Sequence, residues 1–448
     1  MRFSAIANVT GGVLHGADAE AVTFSTDTRQ IAPGDFFVAL SGENFDANAF
    51  VAKAAELGAC GALVSRLTPD LSMPQILVED TREALGRLAK AWREQFSLVR
   101  VAITGSSGKT TTKELTASIF RQAGQTLATL GNKNNEIGVP LTLLRLGPAD
   151  RFGVFELGAN HRGEIAYTSG LVQPHAALIN NIGTAHLEGF GSRQGIAEAK
   201  GEIFSGLTAD GVAIINRDDD FADYHLALNK GRKILTFSTT RAADVTASAA
   251  RMLPGGAWAF DLHLGEVVMP VRLRLLGRHN IGNALAAASL ALASGLGLEQ
   301  IRRGLEEAGP APGRLELHAA GDLAVIDDTY NANPGSMKAA IDMLAGCEGH
   351  RIAILGGMGE LGEGAPALHA EVLCHALERG IERLLTVGEH YASATITPES
   401  DRVIRFGTQE ELLSALPALV SGPATVLVKG SRSARMERVV QKLIEERR

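Results

Sequence analysis

The chain has 448 residues, 45% of them hydrophobic, with 50 acidic against 43 basic residues and a net charge of −7. That length suits roughly two to four cores, and the negative balance excludes a broad phosphate-gripping surface, so no nucleic-acid partner is expected and any anion site must be local. Three cysteines, Cys60, Cys347 and Cys374, form no close pair and support neither a disulfide framework nor a thiolate zinc site.

The opening Met1-Arg2-Phe3-Ser4-Ala5-Ile6-Ala7 has no apolar core of signal-peptide length. No stretch reaches the ~18 apolar residues of a membrane span, so a soluble, cytoplasmic protein is expected. Strands are predicted at Phe36 to Leu40 and Gly61 to Ser65, with an alanine-rich helix from Asn48 to Leu57 between them. Together these make a small α/β module over residues 1–80. Leu85, Leu88, Ala89 and Trp92 then recur at helical spacing within Arg82 to Phe96, and Val99 to Ile103 reads as a buried strand. Further strands at Gly153 to Phe155, Ala176 to Ile179 and Val212 to Ile215 alternate with helices, the pattern of a mostly parallel sheet in a central domain over 81–313. Beyond it, strands at Leu323 to Ile326, Ile352 to Leu355, Leu384 to Val387 and Val426 to Val428 predict a third, Rossmann-like α/β domain over 314–448. Its last helix presents Met436, Val439, Val440, Leu443 and Ile444 on one face.

The sharpest local signal is Val101-Ala102-Ile103-Thr104-Gly105-Ser106-Ser107-Gly108-Lys109-Thr110-Thr111, a strand, a glycine loop and a helix start. Backbone N–H groups and a lysine in this arrangement surround phosphate oxygens, and the Thr110 hydroxyl is placed for Mg²⁺. The six-position Walker spacing would need glycine at Ile103, so this is the shorter Gly-x-x-Gly-Lys-Thr form. A glycine turn capping a helix beside a solvated lysine is the plainer alternative.

The stretch Thr104 to Thr112 resembles the ATP loop of Mur ligases and folylpolyglutamate synthases, and four more blocks follow in the family's order: Phe155 to His161, Asn181 to Gly191, Ala199 to Phe204 and Gly277 to Asn283. Gly131 to Pro140, Asp327 to Pro334 and Gly357 to Gly362 resemble the branch of the Mur ligase family that joins D-Ala-D-Ala to UDP-MurNAc-tripeptide in peptidoglycan precursor synthesis. Ser25 to Arg29 and Pro33 to Leu40 resemble that branch's UDP-binding module, which folylpolyglutamate synthases lack. Asn48 stands where many relatives carry histidine. The resemblance implies a monomeric ATP-dependent ligase that forms a C–N bond through an acyl phosphate. Two alternatives stand beside it: a ligase of this superfamily with another acceptor, and a P-loop ATPase or kinase that uses the nucleotide for motion or signalling.

Expected roles follow residue by residue. Gly105, Ser106, Ser107, Gly108, Lys109, Thr110 and Thr111 form the ATP loop, with Lys109 on the β- and γ-phosphates. Glu156 should emerge at the carboxyl end of its strand beside that loop and share a Mg²⁺ with Thr110. The resemblance gives a second metal position to His186 and a carbamylated Lys200, a modification that needs a neutral amine. Asn280 and Asn283, three apart on a helix, can turn their amides to an adenine edge, or Asn280 can cap that helix. By resemblance Asp328, with Asn331 nearby, serves the ribose, and Arg314 serves phosphate charge. Thr28, Arg29, Ser41 and Gly42 are candidates for the UDP group, and Asn132, Asn134 and Asn135 for the peptide. Lys429 to Ser433 is a candidate anion loop of the third domain.

Overall fold

Runs such as Val101-Ala102-Ile103 and Ala176–Ile179 are apolar on both faces, which a strand satisfies only at the centre of a sheet covered by helices on each side. The computed structural model, which describes residues 1–42, 45–184, 187–253 and 255–447, places them there. They lie side by side in a nine-stranded sheet. Its parallel part runs from Thr126–Ala128 through Phe152–Glu156, Val99–Thr104, Ala176–Ile179 and Val212–Asn216 to Lys233–Ser238. The sheet is extended by Val245–Met252, Ala257–Leu264 and Val267–Leu276, which pair antiparallel with one another. In the last of these, buried Val271, Leu273 and Leu275 alternate with exposed Arg272 and Arg274, the two-residue period of a sheet with one solvated face.

Two smaller sheets flank this one. The five-stranded N-terminal sheet contains Phe36–Val38 and Gly61–Val64 in parallel, with Phe24–Ser25 at one edge and antiparallel Val13–His15 at the other. The six-stranded C-terminal sheet is parallel except for Glu316–Ala320, which pairs antiparallel with Leu323–Asp328. Its closing helix Glu437–Glu445 buries Val439, Val440 and Leu443.

The helix Thr81–Arg93 begins at Asp80, whose carboxylate accepts the N–H groups of Arg82 and Glu83. Leu85, Leu88 and Trp92 on this helix belong to one continuous apolar cluster. It reaches Phe3, Ile6 and Val38 of the first sheet and Leu127, Leu143 and Phe155 of the central region. The Trp92 indole N–H donates to the Leu146 carbonyl at 3.0 Å, and its ring meets Phe24 edge-on at 5.1 Å. No helix among the described residues is long and apolar enough to cross a membrane.

Candidate active site

The strand Val99–Thr104 ends at a sheet edge where its parallel neighbours Phe152–Glu156 and Ala176–Ile179 also end, so three carboxyl termini deliver their next residues to one place. From the last of these come Asn180 and Asn181, which hold the glycine loop. The N–H groups of Ser106 and Ser107 donate to the Asn181 carbonyl and side-chain oxygen, both at 2.9 Å. The Asn180 amide donates to the Ser107 carbonyl, also at 2.9 Å. Those two N–H groups are therefore engaged, and the free donors for an anion lie further on, where the helix Lys109–Arg121 begins. Lys109 folds back so that Nζ donates to the Gly105 carbonyl at 2.7 Å. Burial pulls its pKa below the ordinary lysine range; Glu156 opposes that shift and Arg314 adds to it.

Beneath the loop is a buried amide network. Asn180 donates to the Asn283 side-chain oxygen at 2.9 Å, Asn283 donates to that of Asn280 at 2.7 Å, and Asn280 donates to the Leu276 carbonyl at 2.6 Å. Asn280 and Asn283 thus share a helix face, as their spacing predicts. They also line the cavity. Their side chains are 4% and 5% exposed and bonded to protein groups, so in this structure they brace the loop.

Glu156 is 3% exposed. One carboxylate oxygen accepts the Thr110 hydroxyl at 2.7 Å and the other accepts the Asn134 amide at 2.8 Å. A hydroxyl and a carboxylate at the mouth of a phosphate loop are oxygen donors of the kind Mg²⁺ takes. Lys200, 1% exposed on the helix Arg193–Gly201, has its pKa well below the lysine range because of burial first and the Lys109 charge second. A neutral amine is what carbamylation requires. His186, the residue paired with it by resemblance, lies outside the described residues.

These groups line a cavity of about 1200 Å³ between the central and C-terminal sheets. Arg314 crosses to it, donating to the Thr110 hydroxyl at 2.9 Å with its guanidinium 4.2 Å from the Tyr330 ring centre. Asp328 and Asn331 line the opposite wall. Lys429 pairs with Asp328 at 2.6 Å and donates to the Asn331 carbonyl at 2.9 Å, so the lysine of the candidate anion loop spends its charge within its own sheet. The register places Asp328 directly opposite Lys429. Asn132, Asn134 and Asn135 occupy the rim near Glu156.

The four UDP candidates are not among the residues that line this cavity. Thr28 and Arg29 follow Phe24–Ser25, and Ser41 and Gly42 follow the parallel strand Phe36–Val38, so both pairs leave the same sheet edge. Arg29 forms an exposed pair with Asp27 at 2.7 Å. Buried Asn48 places its amide nitrogen within hydrogen-bond reach of Ser41, Asp46 and Ser65 and so orders this edge.

Sequence reasoning missed Asn180, Lys113 and Tyr330. Asn180 carried a readable signal, since it follows a buried strand adjacent to the loop strand. The partners of the other two are set by tertiary contacts.

The chain is similar to known proteins over nearly its whole length. The family models for the Mur ligase middle domain and the Mur ligase glutamate ligase domain match residues 103–291 and 313–432. The chain is 46% identical over 447 residues to the UDP-N-acetylmuramoyl-tripeptide–D-alanyl-D-alanine ligase of Escherichia coli strain K12, covering 99% of this chain and 98% of that one. The Bacillus subtilis protein of the same name is 35% identical, covering 97% and 94%. Among solved structures, MurF from Acinetobacter baumannii gives a TM-score of 0.93 at 40% identity, covering 99% and 98%. The MurF ligase from Thermotoga maritima in complex with ADP gives 0.83 at 28% identity, covering 95% and 97%.

Proposed function

The chain belongs to the Mur ligase family, and on that premise we propose that it uses ATP to join D-Ala-D-Ala to UDP-MurNAc-tripeptide in peptidoglycan precursor synthesis. The observation that carries the reading is the meeting of Lys109, Thr110 and Glu156 with Arg314 at one cavity wall. A cation, a hydroxyl, a carboxylate and a guanidinium from two sheets converge where a triphosphate would end.

Amide formation from a carboxylate needs a better leaving group than oxide. Attack of the tripeptide's terminal carboxylate oxygen on the γ-phosphorus releases ADP and leaves an acyl phosphate. The amine of D-Ala-D-Ala then attacks the acyl carbon, loses a proton, and the tetrahedral intermediate expels phosphate with its bridging oxygen. Lys109 and Arg314 place positive charge where negative charge accumulates on the transferred group. In this reading the base lies against the helix face of Asn280 and Asn283, whose amides would have to exchange a protein partner to bond it, and the ribose lies by Asp328 and Asn331; all four line the cavity. Asn132, Asn134 and Asn135 offer uncharged donors and acceptors to the peptide. Thr28, Arg29, Ser41 and Gly42 serve the UDP group at the first sheet's edge.

Thr110 and Glu156 fit Mg²⁺; the family resemblance adds a second ion on a carbamylated Lys200 and His186, and metal bound at these places would neutralise phosphate charge. The working protein is a cytoplasmic monomer with domains at 1–80, 81–313 and 314–448.

The test is phosphate release with UDP-MurNAc-tripeptide and D-Ala-D-Ala omitted in turn. Release that requires both supports the ligase, and release indifferent to either omission favours a P-loop ATPase.

A further inference from the structure

One buried charge next to the site has no part in this scheme. Lys113 lies one turn beyond Thr110 on the helix Lys109–Arg121 and is 2% exposed. A cation stays in a protein interior only when fully partnered. Its Nζ lies 2.6 Å from a Glu114 carboxylate oxygen and donates to the Thr129 carbonyl at 2.8 Å. Glu114, 34% exposed in its side chain, supplies the opposite charge from the solvent side. The Thr129 carbonyl supplies the partner on the interior side.

Thr129 is 1% exposed and follows the strand Thr126–Ala128, just before the asparagine loop. Its hydroxyl accepts the N–H of Glu156 at 3.0 Å, and its own N–H donates to the Val154 carbonyl at 3.0 Å. Thr110 and Lys113, three apart on one helix face, therefore grip Glu156 twice. Thr110 bonds its carboxylate directly, and Lys113 reaches its main chain through Thr129. Asn134, five residues beyond Thr129, closes the ring on the other carboxylate oxygen.

We propose that Lys113 is a positioning residue: through Thr129 it fixes the Glu156 carboxylate against Thr110 and anchors the asparagine loop to the ATP-loop helix. The phosphate end of the site and its peptide end then move as one. Lys113 itself does not line the cavity. The proposal rests on the reading of Glu156 as a metal ligand.

The experiment measures Mn²⁺ binding by electron paramagnetic resonance in the full-length protein with ADP, alongside steady-state kinetics. Lys113→Met keeps the chain length and removes the charge, and Thr129→Val removes the hydroxyl while keeping the carbonyl. Both are expected to weaken Mn²⁺ binding about tenfold, the scale for partners that orient a ligand, and to lower kcat, while Lys113→Arg recovers part of the loss. Folded variants that bind Mn²⁺ within twofold of the native protein would overturn the proposal. If Lys113→Met does not fold, Thr129→Val decides by the same criterion. Glu156→Gln is the separate control: if it binds Mn²⁺ as the native protein does, the metal reading fails and takes this proposal with it.

Discussion

Replacing Gly108 by alanine tests how tightly the ATP loop is built. Gly108 has φ +74°, a region where an L side chain costs about 1–2 kcal/mol. An added Cβ would lie 2.4 Å from the Asn180 amide nitrogen and 2.5 Å from the Asn283 side-chain oxygen, the two atoms that bond each other at 2.9 Å. Separating them leaves a buried donor and acceptor short of partners, at about 1–3 kcal/mol each. The combined strain is about 3–8 kcal/mol. If the loop recovers half by shifting, about 1.5–4 kcal/mol remains against nucleotide binding, roughly a 10- to 1000-fold loss of affinity. Calorimetric titration with a non-hydrolysable ATP analogue reads this directly. Gly231→Ala is the control, because its φ is +93° but nothing lies within 4 Å of the added Cβ. It should bear the backbone cost alone and bind nucleotide normally. A folded Gly108→Ala protein that binds the analogue within threefold of native would refute the reasoning.

Lys200→Ala should lose most ligase activity and regain part of it with added formate or acetate, since a small carboxylate can replace the carbamate; absence of rescue in kinetic assays removes the carbamate from the reading. His369 is fully buried, accepts the Met358 N–H at 2.9 Å on Nε2 and donates from Nδ1 to the Ala365 carbonyl, and burial holds its pKa below 6.5. The unfolded chain therefore binds this proton first, so stability should fall as pH drops below 6.5, by at most about 1.4 kcal/mol per pH unit. Denaturant melts of His369→Gln should show a shallower decline between pH 6.5 and 5, and equal slopes would count against the argument. Tyr391 is fully buried with a hydroxyl that finds no partner among the described residues. Tyr391→Phe should raise stability by about 1 kcal/mol in the same melts, and a lower midpoint would show that the hydroxyl is satisfied.

Parallel strands were legible because burial on both faces leaves continuous apolar runs, as in Ile352 to Leu355. The ATP loop was legible because its strand, turn and helix are contiguous. The antiparallel extension was not identified, although Val271, Leu273 and Leu275 carried its alternation. Contacts distant in sequence were harder. Nothing local tells that Asn283 will meet Asn180 across 103 residues, or that Lys429 will be claimed by Asp328. The spacing of Asn280 and Asn283 correctly predicted a shared face but not that the face would be turned beneath the loop. Thr110 and Glu156 were paired from the family resemblance and from the expected place of Glu156 at a strand's carboxyl end, and they are 2.7 Å apart.

The apolar cluster that runs through the helix Thr81–Arg93 ties the first two sheets into one cooperative unit. Because Phe3 and Val38 share one interior with Leu127 and Phe155, a cavity opened on either side should be felt on the other, and the two sheets are expected to melt together.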